Sequence, residues 1–152
     1  MLVEEKINFY MREALLLAQQ ATSSGEVPVG AVVVLGNQII AKAHNRVEEL
    51  KDATAHAEVL ALRDASKQLG QWRLSDAALF VTLEPCTMCI GAMQLARVSE
   101  LYFGCYDKRA GAVGSQFNLA SHQAYGREIK VYPEVCAEES AGLLREFFEG
   151  KR

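Results

Sequence analysis

His56-Ala57-Glu58 and, further along, Pro85-Cys86-Thr87-Met88-Cys89 constrain the fold of this chain more than any other stretch. Between them they offer one imidazole, two thiols and a carboxylate, and a catalytic zinc site takes three protein ligands and leaves its fourth position open. A fold that uses them in this way must bring two distant clusters to one point.

Each spacing has a chemical reading. Cys86 and Cys89 are three apart, so a helix opening at Cys86 places both sulfurs on one face of its first turn. Pro85 suits that boundary, and a helix N-terminus lowers thiol pKa. His56 and Glu58 are two apart, roughly 200° around an ideal helix, which makes them poor twin ligands. Two thiolates and a neutral imidazole already balance a dication, so His56 is the expected ligand and Glu58 the expected base beside the open position.

The same Cys-x-x-Cys pair also suits a thioredoxin-like redox site or half of a structural zinc site. The redox motif belongs directly after the first strand of a βαβ unit, whereas this pair follows two predicted strands and two predicted helices. A structural site wants a fourth ligand at finger-like spacing, and Cys105, Cys136, His44 and His122 stand unpaired with any other ligand at that spacing. These four read as small buried thiols and hydrogen-bonded histidines.

Size and charge narrow the class. A chain of 152 residues, 50% hydrophobic and 23% charged, fits a single domain over residues 1–152 with a substantial core. No apolar h-region follows a basic start, and no apolar run reaches the roughly 18 residues of a membrane span, so the expectation is a cytoplasmic protein with reduced cysteines and no membrane partner. A net charge of −3 argues against a protein held to nucleic acid mainly by bulk electrostatics. Any RNA contact must be local, and the basic spots are Lys108-Arg109, Arg127, Lys130 and Lys151-Arg152.

Apolar positions from Glu4 to Ala21 follow helical spacing, and Ser23-Ser24-Gly25 ends the run. Val29–Leu35 and Gln38–Ala43 flank a Gly36-Asn37 turn and predict a hairpin of two strands, deeply buried or nearly so. Residues 44–53 read as a polar loop. Thr54 is the expected cap of a helix running to about Gly70, with His56 in its first turn. Ala77–Leu83 predicts a strand, Thr87–Ala96 a helix, Glu100–Gly104 and Glu128–Tyr132 strands, and Glu134–Phe148 a closing helix. Strands joined through helices favour parallel pairing after the hairpin, giving a mixed five-stranded sheet in a three-layer α/β/α sandwich, with the site at strand carboxyl ends.

The order H-x-E then P-C-x-x-C resembles the zinc nucleobase and nucleoside deaminases, whose fold is cytidine-deaminase-like. Within that superfamily the chain is similar, over nearly its whole length, to the bacterial tRNA-specific adenosine deaminases (the TadA type). The matching stretches are Val27–Val32, Asn45-Arg46, Thr54–Glu58, Thr82–Ala92 and Gly111–Ser115. The resemblance implies one Zn2+ held by His56, Cys86 and Cys89, water activated at the metal attacking C6 of adenine, Glu58 passing a proton to N1, and ammonia leaving after a further proton transfer. It also implies a tRNA partner bound through its anticodon stem-loop, inosine formed at the wobble position, and a homodimer.

Further roles come with the same resemblance. Asn45 would read the base edge, although a loop asparagine also caps turns. Asp107 and Arg109 match an Asp-x-Lys pattern with arginine in place of lysine, so Arg109 is expected at a phosphate and a surface ion pair is the alternative. Phe148 belongs to the expected RNA surface of the final helix, and Tyr125 and Phe147 are further stacking candidates beside a core role. Asp52-Ala53-Thr54 stands where the family has Asp-Pro-Thr, which removes a constraint from the loop leading to His56, and residues 120–127 also depart from the family. Two competing hypotheses remain at this point: a deaminase of a free base or nucleoside such as guanine or cytosine, and a silent RNA-binding subunit using zinc as a prop. Glu58 counts against the second, because folding around zinc has no use for it.

Overall fold

The computed structural model describes residues 3–151; Met1, Leu2 and Arg152, the last of the basic residues singled out above, lie outside the described residues. The elements are α1 (Glu4–Ser23), β1 (Gly30–Leu35), β2 (Gln38–His44), α2 (Val47–Leu50), α3 (Ala57–Leu69), β3 (Ala78–Leu83), α4 (Thr87–Ala96), β4 (Glu100–Cys105), a 3-10 turn (Gln123–Tyr125), β5 (Lys130–Tyr132) and α5 (Ala137–Glu149). The strands form one sheet in the order β2-β1-β3-β4-β5.

Pairing follows from the connections. β1 and β2 are an antiparallel hairpin, β3 pairs parallel with β4, and β4 parallel with β5. The expectation of parallel pairing throughout the rest of the sheet fails at one joint, because β1 and β3 are antiparallel. The α3 crossover joins β2 to β3, so those two run parallel, but β1 lies between them in the sheet.

Alternation along the strands sorts the core onto two faces. Ala31 and Val33 of β1, Leu79 and Val81 of β3, and Leu101 and Phe103 of β4 face α3 and α4 in one cluster. Val32, Val34, Ala78, Phe80 and Tyr102 face α1 in the other. On this second face the register sets Phe80 beside Tyr102 and Tyr102 beside Tyr132. Their rings stack with centroids 4.4 and 4.6 Å apart.

The helices lie on the sheet for readable reasons. In α3, Ala57, Ala61 and Ala65 recur every fourth residue and are wholly buried, so the helix sits close to the strands. In α1, Met11, Ala14, Leu15 and Ala18 form the inward stripe. β1 passes so near α1 that a Cβ on Gly30 would lie 2.0 Å from the Ala14 carbonyl oxygen, a space only glycine fits.

Three local expectations change. β2 is an edge strand with only Ala41 buried, less than the deep or nearly deep burial expected, because no strand among the described residues covers its outer side. The polar stretch after it contains the single turn α2, held by Glu26 rather than by its own apolar residues: the Glu26 carboxylate accepts the Glu48 and Glu49 N–H groups at 3.0 and 2.8 Å. Thr54 is not the cap of α3. Its N–H and hydroxyl both donate to Asp52 Oδ1, at 2.8 and 2.7 Å, and His56 occupies the cap position in extended conformation.

Candidate metal centre

The sheet delivers both clusters to one end. β3 runs out through Leu83-Glu84-Pro85 to Cys86, the N-cap of α4, and β2 runs out through Asn45 toward His56, the N-cap of α3. Ala55, just before His56, is tied to this corner by the Arg46 N–H donating to its carbonyl at 3.0 Å. Two helix N-termini therefore converge, and such ends favour anionic groups through their free N–H groups and dipole.

There His56 Nδ1 lies 3.7 Å from Cys86 Sγ and 3.5 Å from Cys89 Sγ. All three ligand atoms lie within 4.8 Å of one another, and they are the one group of three or more such residues among the described residues. Tetrahedral zinc bond lengths would separate an imidazole nitrogen from a thiolate by about 3.6 Å. The donor set fits that metal.

The electrostatics point the same way. A hydrogen bond from Cys89, then one from His56, holds the Cys86 thiol down at about 4 against its burial. The Cys89 thiol is pushed up by the same bond to Cys86 and by burial, since two anions cannot share the corner unaided. The hydrogen bond to Cys86 raises His56, with burial opposing it. A divalent cation is what would let both sulfurs ionise together.

Glu58, in the first turn of α3, is 4% exposed. Burial pushes its carboxyl up to about 7, and the pull of its own backbone N–H and of His56 only partly offsets this. A carboxyl at that value can both take and give a proton near neutral pH.

These groups open into a cleft of about 840 Å³. His56, Glu58 and Cys86 form its floor; Val29, Asn45 and Val47 form one wall, and Glu84, Asp107 and Ala110 another. Phe147 and Phe148, from the end of α5, and Lys151 just beyond it also line the cleft, with the Lys151 ammonium 5.0 Å from the Phe147 ring centroid. Asn45 Oδ1 is buried here with no hydrogen-bond partner among the described residues. A buried amide oxygen left unpaired is costly, which marks it as waiting for a donor from outside the chain.

The other expected site residues sort differently. Asp107 lines the cleft, but its carboxylate closes its own turn by accepting the Arg109 and Ala110 N–H groups at 3.1 and 3.3 Å. Arg109 is exposed on that turn, outside the cleft lining. Tyr125 does not reach the cleft and packs against α4, with its hydroxyl 3.4 Å from where a Gly91 Cβ would stand. His44 contacts the Asn45 carbonyl at 3.0 Å, His122 accepts the Ala124 N–H, and Cys105 and Cys136 bond to the Thr82 carbonyl and to Asn8.

Sequence reasoning passed over Glu84 and Glu26. Each is a buried carboxylate, at 2% and 1% exposure, and neither has a salt-bridge partner within 4.0 Å among the described residues. Burial works to raise the Glu84 carboxyl, yet hydrogen bonds from Ser115, Asp107 and Val113 outweigh it and leave it below the usual range. The readable signal was a charged residue at the end of the apolar run 77–83.

The comparisons with known proteins agree with this geometry. The zinc-binding region of cytidine and deoxycytidylate deaminases matches residues 4–105. The chain belongs to that family. It is similar to the tRNA-specific adenosine deaminase of Bacillus subtilis (strain 168), at 45% identity over 94% of this chain and 89% of the relative. The tRNA-specific adenosine deaminase of Agrobacterium fabrum is 46% identical, covering 94% of each chain. A solved structure from a study of A-to-I editing by tRNA:A34 deaminases at the wobble position of transfer RNA superposes with a TM-score of 0.87 at 45% identity, over 90% of this chain and 99% of that one.

Proposed function

We propose that this chain is a zinc-dependent hydrolase that converts adenosine to inosine at the wobble position of tRNA. His56, Cys86 and Cys89 are the metal ligands, Glu58 the proton carrier, and Asn45, Asp107, Arg109 and Phe148 the substrate contacts. The observation that carries the reading is the corner itself: three ligand atoms converge beside a buried carboxylate and face an unpaired amide oxygen across a cleft. Relatives named tRNA-specific adenosine deaminases, matched over nearly their full length, support the substrate.

A zinc ion held there supplies a Lewis acid that makes water easier to deprotonate near pH 7. The chain's residues do the rest. Glu58 takes the proton from water and delivers it to N1 of the purine while water's oxygen bonds to C6; a second proton then passes from the new C6 hydroxyl to the amino group through the same carboxylate, the C6–N bond breaks, and ammonia departs to leave the C6 carbonyl of inosine. Asn45 accepts from or donates to the base edge, and Val29, Leu83 and Ala57 enclose the ring. The base must leave its stack to enter, which a single-stranded anticodon loop allows at lower cost than a duplex. Phe148 in the cleft lining offers a face for a neighbouring base, and Arg109 on the rim suits a phosphate.

We further read the protein as a homodimer in the cytoplasm, with one deaminase domain per chain. The groove between α3 and α4 leaves Leu95 67% and Trp72 57% exposed, apolar surface that a second copy would cover. All four cysteines are free thiols, in keeping with a reducing compartment, and no helix among the described residues is long and apolar enough to cross a membrane. Light scattering should return twice 16.7 kDa, and Leu95→Glu should halve it. Function is tested by inosine and ammonia release from unmodified tRNA bearing adenosine at the first anticodon position, run beside free adenosine, guanine and cytosine. Turnover on the tRNA alone is expected; turnover only on free bases or nucleosides would overturn the assignment.

A further inference from the structure

Between β4 and β5 the chain travels through residues 106–129 with only one 3-10 turn and a single bridge between Val113 and Asn118. Loops of this length without regular structure are held from outside or serve a site, and this one does both. Its first part brings Asp107 and Ala110 into the cleft and carries Lys108 and Arg109 on its exposed side.

What holds that part is one side chain. Glu84 Oε1 accepts the Asp107 N–H at 2.9 Å and the Ser115 hydroxyl at 2.5 Å. Its Oε2 accepts the Val113 and Ser115 N–H groups, both at 3.0 Å. The segment is wound so tightly around the carboxylate that a Cβ on Gly111 would lie 2.2 Å from it. The Ala112 N–H adds a bond to the Pro85 carbonyl at 2.8 Å, one residue before Cys86.

We infer that Glu84 is a positioning residue for substrate: its carboxylate fixes the segment 107–115, and with it where Asp107 and Ala110 of the cleft wall stand relative to the metal corner, and so how tightly RNA seats in the cleft. The inference rests on the proposed reaction for its substrate but on geometry for its mechanism. A buried carboxylate is costly unless hydrogen-bonded, so moving the loop off Glu84 carries the penalty of leaving that charge unpaired. Because Glu84 itself lines the cleft two residues before Cys86, the wall and the metal corner share one reference point.

A second buried polar side chain provides the control. Gln94, in α4, donates to the Leu119 and Ala120 carbonyls, both at 2.9 Å, and accepts from Arg127 at 2.9 Å. It pins the far half of the same loop and touches no part of the cleft.

The test uses full-length protein loaded with zinc. Glu84→Gln keeps the side-chain shape and places an NH2 opposite N–H donors. It should keep one zinc per chain and kcat within about twofold, raise KM for tRNA roughly tenfold or more, and speed amide exchange at Asp107, Val113 and Ser115. Gly111→Ala should raise KM in the same direction, and adding it to Glu84→Ala should cost nothing further, because the smaller side chain leaves room for the methyl. Gln94→Ala should lower Tm and leave KM unchanged. An unchanged KM in Glu84→Gln with faster exchange, or additive effects of the Gly111 and Glu84 changes, would overturn the inference. If the wild type turns over only free bases, the tRNA assignment falls while KM on that substrate, amide exchange and the double-variant comparison still decide the role of Glu84.

Discussion

The face of the sheet under α3 and α4 is filled mainly by alanines and aliphatic chains, with Phe103 its one aromatic ring in the cluster, whereas the face under α1 combines aliphatic chains with a stack of aromatic rings. The first carries the metal corner and the second carries no ligand. Small residues at Ala57, Ala61 and Ala65 let α3 lie close, so the position of its N-cap, His56, is set by backbone packing rather than by a flexible side chain. The aromatic face can be thick because nothing on it must meet a ligand sphere. One sheet thus separates two tasks: stability resides broadly on both faces, but ligand geometry depends on one.

Cys86→Ala should break this separation most severely. It removes a ligand, so bound zinc should fall from one per chain toward zero by elemental analysis, inosine formation should cease, and Tm should drop because metal binding is coupled to folding. Phe80→Ala strikes the opposite face. It should cost about 3–5 kcal/mol in denaturant unfolding and yet leave one zinc per folded chain. Loss of metal in that variant would show that the faces are not separable. Ala61→Leu is milder in stability, about 1–3 kcal/mol from overpacking, but it pushes α3 and His56 outward. It should therefore surrender zinc to a chelator faster than Phe80→Ala does, and equal rates would remove the claim that alanine packing sets the site.

What could be read in advance depended on how local the cause was. Cys86 and Cys89 are three residues apart on a helix start, and His56 and Glu58 two apart at another, so each half of the site was legible as a spacing. The β-branched run at 29–35 and the apolar run at 77–83 declared strands. The antiparallel β1–β3 pair was not legible, because insertion of β1 between strands joined by α3 leaves no mark in the residues of either. The turn α2 was missed because its support, Glu26, lies 22 and 23 residues before the N–H groups it holds. Glu84 was missed for the same reason: its partners stand 23 to 31 residues away in a loop without periodicity. Tyr125 was read as a stacking candidate from its type alone, and the 3-10 turn that carries it faces α4.

The central claim is that metal binding and proton transfer are assigned to different side chains in one corner. Glu58→Ala tests it by two readings on one sample, zinc content and the rate of inosine formation in tRNA. The expected result is one zinc per chain with turnover lower by about 10²–10⁴, the usual share of a positioned acid–base group. Zinc lost along with activity, or turnover preserved without the carboxylate, would contradict the account.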